Sequence, residues 1–363
     1  MSIINAKTVI GLDVGKKYTW AQALDTETNK ALKEERLPNT PKDLIGFLHG
    51  LPRPTRLVFE ATGNWSFFYD CFSSHVDEIL MAHPLKTKAI ASARIKTDKI
   101  DMRTLAHLGR ADLIPCAYCP PPEIRDLREL LRHRAFLTAL GTKVKNRIHA
   151  YLWKLGVETP FSDLFGTKGQ TWLKGLSVPE RFRILIDQDL RILEVLKNEI
   201  QTTTRTLNQQ AKQDPLVPLL LPIPGIGIYS AMLILAEIGD VKRFESPKKL
   251  VSYAGLCPST YQSGTRAYHG RITKQGSRWL RWILIEAAQH YAKTPGTLGT
   301  FYRRMMKKKG SQMAKVALAR RILTGIYYCL TKGVPYQDQP GHPVSCSRTL
   351  EVGPGAKSAQ IYD

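Results

Sequence analysis

Four prolines between positions 115 and 122 divide this sequence into two parts with different hydrophobic patterns. Before them, short apolar runs such as residues 9–14 and 57–60 are typical of buried β-strands. After them, apolar residues recur at three- and four-residue steps, as they do along one face of a helix. Since proline interrupts both kinds of element, we predict an α/β domain over residues 1–115 and a helical region after it.

The first part contains several candidate strands. Residues 9–14 are apolar on both faces, and residues 20–24 alternate and could pair with them as the next strand. Residues 57–60 form a further candidate strand, and residues 78–81 form a weaker one that precedes a helical stretch over 96–109. Strands that come early and then alternate with helices indicate an α/β fold class for this domain.

The helical part divides further. Two long amphipathic stretches within residues 116–213 could pair as an antiparallel hairpin or with another subunit, so we predict a helical coiled-coil linker here. A mostly α-helical domain is predicted over residues 214–334, with helices over 230–238, 277–292 and about 315–331 and a polar, glycine-rich loop over 257–276. The tail, residues 335–363, has little periodicity and is predicted to be disordered.

The charge of the chain indicates a polyanionic partner. It has 53 Lys and Arg residues against 31 Asp and Glu, a formal net charge of +22, and nucleic acid is the usual ligand of such a surface. No signal pattern and no run of about 18 apolar residues is present, so we predict a cytoplasmic, nucleoid-associated protein with no membrane partner. The six cysteines are scattered, and Cys116 and Cys119 lack the second close pair that a zinc site needs.

Four carboxylates are candidate metal ligands. Asp13 lies inside an apolar strand, and Glu60 lies at the end of another. Burial of a carboxylate is costly unless it is paired or metal-bound. Asp98 and Asp101 are three residues apart, which places both on one face of a helix. Two-metal phosphoryl transfer needs such a set, because Mg²⁺ prefers oxygen ligands, so we predict a Mg²⁺ site, with Mn²⁺ as an alternative ion.

Three of these acids also have a simpler interpretation. An aspartate in a glycine-containing apolar strand is found in actin-like kinases, which bind nucleotide phosphates. Asp98 and Asp101 could be a solvated helix face among lysines. A kinase of that class needs later glycine-rich phosphate loops, which the sequence lacks. The metal site is therefore favoured when the four acids are considered together with the positive charge of the chain.

The second part carries features typical of nucleic-acid binding. Gly225 and Gly227 precede a predicted helix and match a helix-hairpin-helix element, in which the backbone approaches a phosphate at a helix amino terminus. Between residues 261 and 334 there are fifteen Lys and Arg residues and one acid, Glu286, with aromatic residues interleaved. The basic residues that we predict to bind nucleic acid are Arg266, Arg271, Lys274, Arg278 and Arg281. Ser263 lies in the same region, where a serine before glycine is most often a turn former.

Together these residues resemble the DEDD-type insertion-sequence transposases of the "IS one-ten" family, which are bridge-RNA-guided recombinases. The segments around Asp13 and Glu60 and the segment 96–101 are similar to the three acidic motifs of the family's RuvC-like domain, which has an RNase H fold. Residues 224–227, 250–256, 261–264 and 271–276 are similar to its transposase domain, and the family has a coiled coil between the two domains.

This resemblance implies several properties that the residues alone do not establish. It implies that Ser263 is the nucleophile that joins covalently to DNA, opposite the metal-bound carboxylates of another subunit. It also implies donor and target DNA and a structured bridge RNA as partners, and a homo-oligomer, either a dimer or a tetramer. Two alternatives stay open: a RuvC-like junction endonuclease that uses metal and water without a covalent intermediate, and a nucleic-acid-binding protein without catalytic activity.

Overall fold

The computed structural model describes residues 5–91, 97–263 and 266–337. The chain divides into two compact units, Met1–Pro120 and Pro121–Asp363, and each is described separately. The tail predicted to be disordered lies mostly outside the described residues, which end at position 337. Within the described ranges, none of the helices combines the length and the apolar composition needed to cross a membrane.

The first unit is built around a mixed five-stranded sheet. Its strand order is β3-β2-β1-β4-β5, in which β1, β2 and β3 are antiparallel neighbours and β4 and β5 run parallel to β1. This mixed sheet followed by helices is compatible with an RNase H-like DEDD fold. The elements of the unit are β1 Thr8–Val14, β2 Tyr18–Asp25, β3 Ala31–Pro38, α1 Pro41–Gly46, β4 Thr55–Glu60, α2 Trp65–Phe72, β5 Glu78–Ala82, α3 Pro84–Ile90 and α4 Asp98–Arg110.

Both faces of this sheet are covered. On one face, apolar residues of β1 and β4 such as Leu12 and Phe59 are buried together with Phe68 and Phe72 of α2. On the other face, residues such as Val9 and Val58 pack against α4. Because β1 and β4 are buried from both sides, they read in the sequence as continuous apolar runs, and the prediction of these two strands is confirmed.

The second unit is mainly helical, apart from one β-hairpin in its described residues. Its two longest paired helices are antiparallel, because Arg134 near the middle of the first bonds Thr204 of the second, while the later Arg147 bonds the earlier Asp189. The elements are α5 Pro122–Lys154, α6 Thr167–Gly175, α7 Glu180–Ala211, α8 Val217–Leu220, α9 Ile228–Ile238, α10 Pro247–Tyr253, β6 Pro258–Ser263, β7 Arg266–Ile272, α11 Arg278–Gln289 and α12 Thr297–Lys332, with short 3₁₀ turns at Val241–Arg243 and His290–Ala292.

Three local predictions differ from the structure. Strand β3 was not predicted from the sequence. The predicted loop over 257–276 is largely the antiparallel hairpin of β6 and β7. The span α12 consists of two helices that meet at Gly310, whose φ of +79° is not helical. The predicted helix over about 315–331 lies within the second of them, whereas the first, which begins at Thr297, was not predicted.

Candidate active site

Asp13 and Glu60 lie at the carboxyl ends of neighbouring parallel strands. In the register of β1 and β4, Leu12 is the partner of Phe59, so the two residues that follow, Asp13 and Glu60, lie at the same level of the sheet. Side chains alternate between the faces of a sheet, and both acids therefore lie on the face opposite to Leu12 and Phe59. Both are half-buried, and adjacent strands are about 4.8 Å apart.

Helix α4 packs against that same face and runs antiparallel to β1. A Cβ atom built on Gly109 would lie 3.0 Å from a methyl group of Val9, whereas one built on Gly11 would lie 2.3 Å from the carbonyl oxygen of Met102. The early residue Val9 of β1 thus contacts the end of α4, whereas the later residue Gly11 lies nearer to its beginning. The first turn of α4 therefore lies at the end of β1 that carries Asp13.

This first turn contains Asp98 and Asp101. Each lies one helical turn before a buried residue, Met102 or Leu105, so each belongs to the side of the helix that faces the sheet. Asp101 is half-buried and Asp98 is exposed. The turn begins at Thr97, whose hydroxyl accepts a hydrogen bond from the Ile100 amide at 3.3 Å. Acids in a first turn also interact favourably with the helix dipole, which lowers the cost of placing two of them here.

The backbone thus brings four carboxylate residues to one edge of the sheet. Their oxygens are the donors that Mg²⁺ and Mn²⁺ prefer, so the donor chemistry fits a hard divalent cation. Their side chains do not form a finished coordination shell: no group of three His, Cys, Asp or Glu residues in the described part of the chain is arranged to hold a metal ion.

A cluster around Glu34 holds the beginning of α4 against the sheet. The guanidinium of Arg103 on α4 donates to the Glu34 carboxylate of β3 at 2.9 and 3.2 Å, and the Gln22 amide of β2 donates to it at 3.0 Å. Lys99 lies 4.0 Å from Glu34 and 4.6 Å from the centre of the Trp20 ring. This cluster was not found from the sequence, because it depends on the unpredicted strand β3.

Arg56 holds the other end of α4. Its side chain is almost fully buried and forms ion pairs with Glu78 and Asp112. Its guanidinium also donates to the carbonyl oxygen of Gly109 at 2.7 Å, near the end of α4. An arginine within the apolar strand β4 was a signal for such a network, since a buried charge has to be paired. Helix α4 is therefore fixed at both ends, and its acids with it.

In the second unit, Gly225 and Gly227 form the turn before α9. Gly225 has a φ of +83°, and a Cβ there would lie 2.8 Å from the carbonyl oxygen of Ala287, so this position requires glycine for both conformation and space. Gly227 is the residue that precedes the first turn of α9, it is exposed, and a Cβ there would meet no atom within 4 Å. The amino terminus of α9 is accessible at this point.

The predicted nucleophile lies at the tip of the hairpin of β6 and β7. The backbone of Ser263 ends β6 and pairs with that of Arg266, the first residue of β7. The side chains of both residues lie outside the described part of the structure. The prediction of a loop at Ser263 was wrong, since the residue belongs to a strand.

The remaining predicted nucleic-acid contacts differ in exposure. Arg271, Lys274 and Arg278 are exposed and lie on the hairpin, after it and at the start of α11. Arg281 is half-buried, and its guanidinium donates to the carbonyl oxygen of Ala254 at 3.0 Å. Burial lowers the pKa of the Arg281 guanidinium below its usual value. The structure therefore gives Arg281 a structural contact in addition to the predicted one.

A buried carboxylate connects the start of α11 to the long helix α5. Glu237, at the end of α9, accepts two hydrogen bonds from Arg132 of α5 at 2.8 and 3.0 Å. Its other oxygen accepts one from the Ser277 hydroxyl at 2.8 Å, and Ser277 caps α11 by accepting from the Leu280 amide. Sequence reasoning missed this network, because its members lie in three separate segments of the chain.

Two family models match the chain in order. A model of DEDD-type IS110 transposases matches residues 10–156, a range that includes all four acids. A second model, described as "Transposase IS116/IS110/IS902 family", matches residues 217–303, which include Ser263 and the turn at Gly225.

Curated relatives are similar to almost the whole chain. The transposase for insertion sequence element IS1328 of Yersinia enterocolitica is 24% identical over 91% of this chain and 98% of its own length. The pilin gene-inverting protein of Moraxella bovis is 27% identical, with the same shares covered. A protein of insertion element IS116 from Streptomyces clavuligerus is 22% identical over 88% of this chain and 94% of its own. The chain belongs to the DEDD-type IS110 family of transposases.

Proposed function

We propose that this transposase cuts and rejoins DNA strands of an insertion sequence with two chemical groups: metal-binding carboxylates on the first unit and the hydroxyl of Ser263 on the second. The observation that carries the proposal is the convergence of Asp13, Glu60 and the first turn of α4 at one edge of the sheet. One relative is named as a gene-inverting protein; inversion requires strands to be rejoined as well as cut, which supports the second half of the reaction.

In the proposed mechanism Asp13, Glu60, Asp98 and Asp101 would hold a divalent cation. When bound, Mg²⁺ or Mn²⁺ supplies stabilisation of the negative charge that develops on the phosphate oxygens. Carboxylates gathered at one end of a sheet repel one another and favour binding of a cation. The Glu34 and Arg56 networks would keep the acids of α4 in position while the metal and the substrate bind.

The two covalent steps need no energy source, because each one conserves the number of phosphodiester bonds. The Ser263 oxygen attacks a phosphodiester phosphorus and forms one P–O bond, while the bond to the leaving strand breaks and its oxygen takes up the proton that serine loses. A hydroxyl of a second strand then attacks the same phosphorus, and the Ser263 oxygen leaves and regains a proton. Each step replaces one phosphodiester P–O bond with another. The role of Ser263 in this scheme rests on the family resemblance.

We further propose that a structured guide RNA and the DNA ends bind the basic second unit, and that the active protein is a homo-oligomer. The support for RNA and DNA is the net charge of +22 and the cluster of basic residues after position 261, since phosphate neutralisation dominates nucleic-acid affinity. The accessible amino terminus of α9 beside Gly227 would bind a phosphate of the backbone.

Trapping of a covalent protein–DNA adduct tests the proposal. Purified protein, Mg²⁺, the element's DNA ends and its noncoding RNA are expected to give an adduct that survives a denaturing gel. Ser263→Ala is expected to abolish the adduct, and Asp13→Asn or Glu60→Gln is expected to abolish strand cleavage while DNA binding persists. Chelation of the metal should have the same effect as loss of an acid.

Two control variants make this test specific. Ser252→Ala removes an exposed hydroxyl of the same unit, and Glu27→Gln neutralises an exposed acid in the first unit; both should retain the adduct. Cleavage that survives Ser263→Ala would favour the metal-only junction endonuclease instead. Loss of cleavage in Glu27→Gln equal to that in Asp13→Asn would mean that general charge, rather than a metal site, explains the acids.

A further inference from the structure

Two exposed tyrosines lie opposite each other on the hairpin of β6 and β7. Tyr261 and Tyr268 are direct partners in the strand register, and they are 72% and 67% exposed. Directly opposite residues of an antiparallel pair lie on the same face, with Cβ atoms about 5 Å apart. The two phenol rings therefore lie on the same face of the hairpin, and both are exposed to solvent.

The hairpin does not use these rings for its own packing. Among the described side chains of this segment, Cys257 and Ile272 at its base pack against the main core of the unit, and no described ring lies against Tyr261 or Tyr268 in an aromatic pair. Tyrosine normally buries much of its surface, and an isolated two-stranded hairpin is only marginally stable. Two exposed rings on such an element indicate a surface that is covered by a ligand.

The charge around the rings selects the class of ligand. The segment 258–276 contains no Asp or Glu and carries three Lys and Arg residues, of which Arg271 and Lys274 are exposed. A protein partner with an apolar patch would not need this charge, whereas nucleic acid combines phosphates with flat bases. Only unpaired bases expose the ring faces that stack on aromatic side chains.

We infer that Tyr261 and Tyr268 form a stacking platform for unpaired bases of the strand that reaches Ser263. Tyr261 lies two residues before Ser263, and Tyr268 lies two residues after Arg266, the partner of Ser263, so the platform is about 7 Å along the strand from the proposed nucleophile. It would hold the unpaired strand in place for attack. The position of the platform relative to the reaction rests on the proposed role of Ser263, but the stacking itself does not.

Oligonucleotide binding by the full-length Ser263→Ala protein tests this inference without metal and without cleavage. The probe is a fluorescein-labelled oligothymidylate of roughly 12 nucleotides, and the readout is fluorescence anisotropy. Tyr261→Ala and Tyr268→Ala are each expected to weaken binding by about 5- to 150-fold, the usual effect of losing a stacked base. Tyr261→Phe and Tyr268→Phe keep the ring and should bind within about two-fold of the parent protein.

A matched control and a duplex probe complete the design. Trp153→Ala removes an aromatic side chain that is 83% exposed on α5 of the same unit, and it should not change binding. Affinity for a duplex of equal length, and the dependence of that affinity on salt, should be unchanged in the Tyr→Ala variants, because the rings carry no charge. Since the assay does not depend on the nucleophile, failure of the adduct experiment would leave this result standing.

Single-strand binding by Tyr261→Ala and Tyr268→Ala that equals the parent protein would overturn the inference. If these variants also lost self-association on size-exclusion chromatography, the rings would be assigned to contact between copies of the chain.

Discussion

Replacement of Gly11 by alanine tests whether the position of α4 determines activity. A Cβ atom at Gly11 would lie 2.3 Å from the Met102 carbonyl oxygen and 2.7 Å from the Ala106 nitrogen, whereas ordinary contact begins at 3.4 Å. Both obstacles are backbone atoms, so α4 and β1 have to separate by about 1 Å. Overpacking of this kind costs about 1–3 kcal/mol of unfolding free energy.

The larger effect is expected on catalysis. The separation moves Asp98 and Asp101 away from Asp13 and Glu60 by a similar distance, and a misplacement of about 1 Å can lower a rate by about 100-fold. Transposition of a marked element in bacterial cells is the assay for activity, and urea unfolding of the purified protein reports stability. The loss of transposition should exceed the loss explained by the unfolded fraction.

Two further Gly→Ala changes in the same unit calibrate the result. At Gly109 the added Cβ meets a methyl group of Val58 at 2.6 Å rather than backbone, and at Gly46 it meets nothing within 4 Å. We expect a smaller loss for Gly109→Ala and none for Gly46→Ala. Transposition by Gly11→Ala within two-fold of the wild type would refute the argument that the first turn of α4 has to lie against the end of β1.

Two predictions concern stability. Glu237→Gln removes the charge that faces Arg132 in a nearly fully buried site, and breaking such a pair is expected to lower the unfolding free energy by about 3 kcal/mol in urea titrations. The control Glu129→Gln changes an exposed partner of Arg132 at 3.7 Å and should lower the unfolding free energy by less than about 1 kcal/mol. Equal losses in the two variants would contradict the role of burial. Hydrogen bonding from Arg53 holds the pKa of Asp77 at about 2, below its ordinary value of 3.8, so its contribution to stability is present above pH 4 and is lost as the pH falls towards 2. The difference in unfolding free energy between the wild type and Asp77→Asn should therefore shrink over that range, and a difference that stays constant would contradict it.

The strands that were predicted and the one that was missed differ in burial. Strands β1 and β4 are covered on both faces and contain continuous apolar runs, which indicate strands in any sequence. Strand β3 is an edge strand in which only Leu37 is buried, and its charged residues hide the period of two. Charged edge strands avoid pairing with other chains, so the same property that protects the edge conceals it from sequence analysis.

The hairpin of β6 and β7 was missed for a related reason. A half-buried strand carries apolar core residues on one face and polar residues on the other, so its sequence alternates. In this hairpin the large apolar rings are the exposed tyrosines rather than core residues, and its sequence shows no alternation between apolar and polar positions. Helix positions were easier to predict where a face is buried, as in α5 and α7, whose stripes of Leu, Ile and Val meet each other. Ion pairs between distant segments, such as Arg103 with Glu34, follow from the fold and cannot be read from spacing.

The candidate acids could be predicted because each breaks a local rule, a charge in an apolar strand or two like charges in one helical turn. What the sequence does not show is why they meet. The meeting depends on Gly11, which lets the backbone of α4 approach β1, and on Arg56 and Glu34, which fix the two ends of that helix. Among the described residues of the hairpin at Ser263, contact with the core is made at its base, by Ile272. The fold thus fixes the backbone positions of the acids through the contacts of α4. If Ser263 has the role proposed above, we expect binding of the correct nucleic acid to complete the site, because substrate-driven assembly of a site adds specificity.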